Sequence, residues 1–270
     1  MLETTKMKRI LAILAGSVLF ATFGSLCSIR AAATQGSQTS TSNNSGEGTE
    51  PVVDLSASSN ETETPTRHAR SARHNNRHGH ELTELPPGIE PYPEITHWNS
   101  GLPALPVQQS DTIVVATVES SQAFLSADRH SVYSDFGLIV ARVLKTTGIA
   151  VTQGQTITAE RTGGAVKFPS GRITRFRIHQ QGFPEPARQY LFFLKSQPES
   201  ADFYIVTGYE LNSGKVQPLD GVGFNKTEYS QFAQYQGVEE VSFLSQVVQE
   251  INAEPGAARF AAVDFHACDT

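Results

Sequence analysis

Between Arg161 and Arg188 the chain carries Arg161, Lys167, Arg172, Arg175, Arg177 and Arg188 against one acidic residue, Glu185. Cations at this density attract an anion, whether an anionic glycan, an envelope polymer or an acidic protein. The competing reading is a solvated strand face whose charge is balanced by acids from elsewhere in the chain. Phe168, Phe176 and Phe183 interleave with these cations, an arrangement that single-stranded nucleic acid exploits through base stacking. The formal net charge of −6 and the signals for export described below count against that partner.

Catalytic chemistry finds less to use. No Gly-x-Ser-x-Gly elbow, Ser-x-x-Lys motif or zinc-ligand pair occurs, so neither catalytic residues nor a cofactor can be assigned. In the body of the chain the histidines are His97, His130 and His179, and Asp128, Arg129 and His130 are consecutive, as in a solvated loop tip. His68, His74, His78 and His80 interleave with Arg67, Arg70, Arg73 and Arg77 in a tract that reads as a polar spacer, since metal capture needs fixed ligand geometry. Asp264, His266 and Cys268 would share a face if the tail were extended, but a frayed terminus does not position ligands.

The elements that must hold the basic cluster are strands. Thr112 to Glu119 is dense in β-branched residues, and Phe136 to Lys145 follows after a polar stretch in which Phe124 and Leu125 would anchor a short helical turn or flap. Phe136, Leu138 and Val140 alternate inward, and Val143-Leu144 breaks the register as a bulge or strand end does. Further strands are expected over Gln155–Arg161, Ala165–Phe168, Ile173–His179, Gln189–Lys195, Asp202–Glu210 and Lys215–Leu219. Ala165 to His179 forms a hairpin around Pro169-Ser170-Gly171-Arg172, with Arg175 and Arg177 on one face by strand alternation. The near-continuous apolar run at Gln189–Lys195 suits a central strand covered on both sides, and Pro218 confines the last strand to an edge. Glu240–Ala253 reads as a helix whose apolar side is Val241, Leu244, Val248 and Ile251 with Val247 alongside.

Upstream of these strands the composition changes. Lys6, Lys8 and Arg9, an apolar run from Ile10 to Cys27, and Ala31-Ala32-Ala33 describe a signal peptide over residues 1–33 and an exported protein, periplasmic, envelope-bound or secreted. The alternative is an uncleaved N-terminal membrane anchor. Cys27 and Cys268 are the only cysteines, so cleavage would leave one thiol and no intrachain disulfide. Residues 34–85 are rich in Ser, Thr, Arg and His and read as a disordered linker. A proline-rich lead-in, 86–110, carries Trp98; a mainly β domain with its C-terminal helix covers 111–253, and 254–270 form a flexible tail.

The block Asp111 to Val118, followed by Tyr133 to Lys145, resembles the opening strands of netrin-like modules, OB-type β-barrels related to tissue inhibitors of metalloproteinases. The resemblance covers Asp111 to Leu219 and implies an OB-like barrel; with the helix read at Glu240–Ala253, the fold expected is mainly β, a single OB-like barrel or small sandwich with one C-terminal helix. The inhibitors insert an N-terminal cysteine into the protease, and this domain has no cysteine, so only the architecture carries over. The function expected is a non-enzymatic exported binding module working through the basic hairpin; the alternatives are an exported hydrolase or a structural surface protein.

Overall fold

The computed structural model describes residues 50–57, 64–75, 82–89, 101–221 and 230–253. All belong to the unit Gly46–Thr270, whereas the other unit, Met1–Ser45, lies outside the described residues, as do Trp98, His97 and the tail.

The architecture is mainly β. Its elements are β1 Val52–Asp54, α1 Pro65–Arg73, β2 Thr112–Leu125, β3 Val132–Thr146, β4 Thr156–Thr162, β5 Gly164–Lys167, β6 Ile173–Phe176, β7 Gln189–Gln197, β8 Asp202–Asn212, β9 Lys215–Pro218, a 3-10 turn Gln231–Tyr235 and α2 Glu240–Ala253. Five strands close a ring in the order β2-β3-β4-β8-β7, in which only the short β4–β8 contact is parallel. This is the five-stranded arrangement of an OB-type barrel, with β9 added at the edge of β8.

Alternation along the strands divides the apolar residues into two layers. Val114, Ala116, Phe136, Leu138, Val140, Ile157, Phe192, Leu194 and Ile205 fill the barrel. Ile113, Val115, Leu191, Phe193 and Tyr209 point outward and are covered by α2, the 3-10 turn and the end of the lead-in. The run Tyr190–Leu194 is buried throughout because its side chains feed both layers, as expected for a central strand. Leu144 is skipped in the β2–β3 register, where Ile113 faces Lys145 and Val114 faces Val143, so the expected bulge is present.

Three expectations are corrected. The stretch from Ser120 to Leu125 is no helical flap: β2 continues through it, shifted in register between Val118 and Ser120, and pairs with β3 as far as Leu125–Val132. On α2 the buried face is Phe243, Leu244, Val247 and Ile251, while Val241 is 57% exposed. The third concerns the linker. Val52–Asp54 and Pro65–Arg73, placed by composition in a disordered spacer, are respectively a strand of the small sheet β1-β5-β6 and a helix on the barrel.

Candidate functional site

The chain leaves the barrel wall at Gly163-Gly164, where φ is 98° and 147° and a Cβ would meet the Phe176 carbonyl oxygen at 2.8 Å or the Ser134 hydroxyl at 2.9 Å. The two-stranded ribbon β5–β6 thereby acquires an edge of its own. Ala165 pairs with Arg175 and Lys167 with Ile173, so Lys167 and Arg175 share one face, while Val166 is buried on the other in a small cluster with Ala123, Val132 and Phe168. Arg172 lies in the turn and Arg177 just beyond β6.

Four of the six basic residues singled out in the sequence are brought together here, each facing a carboxylate from upstream of the barrel. Lys167 Nζ is 2.8 Å from Asp54 Oδ2. Arg172 Nη1 is 3.2 Å from Glu84 Oε1 and donates to the Leu85 carbonyl oxygen. Glu50 sits between Arg177, which contacts its Oε1, and Arg175, whose Nε lies 3.7 Å from its Oε2. The Glu50 side chain is only 6% exposed, whereas the Lys167–Asp54 pair is 42% and 32% exposed. The hydrogen bond from Lys167, with further ones from Ser56, holds the Asp54 carboxyl well below the ordinary carboxylate range.

The other two cations are elsewhere. Arg161 on β4 is fully buried, paired in a fork with Asp220 at 2.9 and 2.6 Å, and Asp220 also accepts from Thr207 Oγ1 and the Gly182 backbone N–H. Arg161 thus ties the wall of the barrel to the β9 exit and offers nothing to a ligand. Arg188 pairs with Glu185 at 2.7 Å and Glu210 at 2.9 Å, before β7 and away from the ribbon. Phe168 and Phe183 are buried and Phe176 packs on the small cluster, so these rings form no exposed stacking row for nucleotide bases.

Sequence reasoning missed a second charged site of opposite sign. Asp135 on β3, Glu160 on β4 and Asp202 on β8 converge where these strands meet, and α1 lays its arginines on them. Arg70 reaches Asp135 at 2.7 Å and Asp202 at 3.2 Å. Arg73 takes Glu160 at 2.9 Å, Asp202 at 3.1 Å and the Ser200 hydroxyl at 2.6 Å. His74 stacks on Tyr133 with centroids 4.6 Å apart and lies 3.6 Å from Glu160, and Arg67 sits 4.1 Å over the Phe124 ring. Burial raises the Asp135 carboxyl to about 7 and pushes Asp202 up as well. Burial also acts upward on Glu160, but the His74 ring beside it and the hydrogen-bonded Arg73 guanidinium outweigh burial and hold that carboxyl down. The helix has a start signal that composition concealed: Thr64 caps it by accepting from the Arg67 N–H, with Pro65 following.

The hydrolase alternative would need a histidine, a serine and a carboxylate in working order. In the loop 126–131, Ser126 Oγ donates to Asp128 at 2.6 Å and accepts from the N–H groups of His130 and Ser131, while the His130 ring is 3.7 Å from Asp128. The hydroxyl is occupied in capping a turn and donates to a carboxylate, not to an imidazole. Among the described residues no three metal-ligating side chains are grouped as a metal site. Neither is any described helix long and apolar enough to cross a membrane. No family model matches the chain, and no curated protein matches it.

Proposed function

We propose that the chain is an exported, non-enzymatic interaction module that holds an acidic partner on the basic ribbon β5–β6. One observation carries the reading: Lys167, Arg172, Arg175 and Arg177 gather on one ribbon, and each faces a carboxylate from a segment upstream of the barrel. The ribbon therefore favours carboxylates, and its open pairs, Lys167 with Asp54 and Arg172 with Glu84, are weak enough for another anion to exchange into them. Export is supported by the basic start, apolar run and alanines of residues 1–33. The netrin-like resemblance is part of the same proposal, with the barrel as a rigid frame for the ribbon and no cysteine for protease insertion.

Polyglutamate binding to the full chain tests it. Binding is expected to weaken with salt and to be lost in Arg175→Ala/Arg177→Ala; absent binding, or binding indifferent to that double substitution, overturns the reading.

A further inference from the structure

We infer that the edge of β5 opposite β6 is an acceptor for an extended peptide of the pattern acid, proline, any, apolar, acid, apolar, and that Glu50–Leu55 is its built-in occupant. This rests on the reading of the ribbon above and adds the class of partner: a polypeptide taken up as a β-strand, not a polyanion at large.

Backbone hydrogen bonds already join the two strands. β1 lies parallel to β5, Val52 beside Ala165 and Asp54 beside Lys167. The Ala165 N–H donates to the Pro51 carbonyl oxygen at 2.8 Å, and the Leu55 N–H donates to the Lys167 carbonyl oxygen at 2.9 Å. A polysaccharide or polyphosphate has no such repeating donors and acceptors. Proline is accommodated at the second position because only its carbonyl is used there.

Side chains add a second set of contacts. Alternation sends Glu50 and Asp54 to the face that bears Lys167, Arg175 and Arg177, and sends Val53 and Leu55 onto the cluster of Ala123, Val132, Val166 and Phe168. Acid at the first and fifth positions and apolar residues at the fourth and sixth are thus each read by a distinct partner.

The occupant is also separable. Neither large core contains any residue of 50–57, and the ladder to β5 is three residues long, shorter than an ordinary strand. A competing strand of the same pattern replaces every contact without opening the barrel.

The test uses the full chain, wild type and Glu50→Lys/Asp54→Lys, where like charges opposite Lys167, Arg175 and Arg177 lift the built-in strand. A labelled peptide of Glu50–Ser56 is titrated beside a scrambled peptide of equal charge, the same peptide N-methylated at Leu55, and polyglutamate. Val53→Ser/Leu55→Ser is a second acceptor that loosens the strand while leaving the ribbon cations intact, should the first variant fail to fold. The parent peptide is expected to bind the loosened variants about tenfold more tightly than wild type, and both altered peptides to lose about tenfold. If scrambled and N-methylated peptides bind as well as the parent, strand pairing is overturned and the ribbon remains an anion site. If neither peptide nor polyglutamate binds, both readings fall.

Discussion

The basic ribbon and the acidic socket under α1 hold adjoining parts of one upstream segment by ion pairs of opposite polarity, yet their energetics differ. At the ribbon, Lys167 and Asp54 are each about a third or more exposed, so water competes for both and the pair adds little to stability. In the socket, Glu160 and Asp202 are 2% exposed, and each depends on its arginine because no water replaces it. The same chemistry is thus a fastener where it is buried and an exchangeable contact where it is open. The helix is anchored throughout, whereas the strand beside it has one buried fastener, Glu50 between Arg175 and Arg177, and one open pair at Asp54 that is free to exchange.

The largest effect is expected at Arg73. Arg73→Met leaves Glu160 and Asp202 buried with less compensation, and protection of the α1 amides from hydrogen exchange is expected to fall by about 3 kcal/mol. An unchanged exchange rate would mean that packing, not charge, seats the helix.

Acidity sharpens the contrast. Asp135 has its folded-state pKa raised from 3.8 to about 7, so its contribution to docking is full below the ordinary value and is lost as pH rises through 7. Glu160 is held below its ordinary 4.5 and acts in the opposite sense, contributing above that value and losing its contribution as pH falls. Facing them are Arg67, Arg70, Arg73 and His74 from α1, Tyr133 on β3 and Asp202 on β8. Protection of the α1 amides from hydrogen exchange, taken relative to the unfolded chain at each pH, is expected to be greatest in mildly acidic solution, to fall as pH rises toward 7 and to level off above it, with a dependence of at most about 1.4 kcal/mol per pH unit. Asp135→Asn is expected to flatten the loss between mildly acidic solution and pH 7; a loss that persists in the variant assigns the proton elsewhere.

The smallest effect lies at the ribbon. Lys167→Ala removes one open pair, and the melting temperature of the full chain is expected to move by less than about 2 °C. A larger shift would show the ribbon to be a fastener as well.

How far the sequence could be read depended on whether the cause of each feature was local. Alternation placed strands such as β3 and β8 because their successive residues face different surroundings, the continuous apolar run placed β7, and the skipped Leu144 showed as a break in the period of two. The ribbon cations were legible as a cluster because Lys167, Arg172, Arg175 and Arg177 are close in sequence. Their partners were not, since Lys167 meets Asp54 across 113 positions. The extension of β2 to Leu125 was hidden by Ser120, Ser121 and Gln122, polar residues on a stretch whose partner strand only the fold supplies.

The order of neighbouring residues was enough to specify a mainly β chain with a basic hairpin, because hydrophobic period and local charge density are both short-range properties. Tertiary structure alone decided that β1 and α1 are elements. The nine residues of α1 have no apolar stripe and bury only Ser71, so no periodicity announces them. What holds that helix is a set of carboxylates 87 and 129 positions away, brought to one point by the closure of β3, β4 and β8.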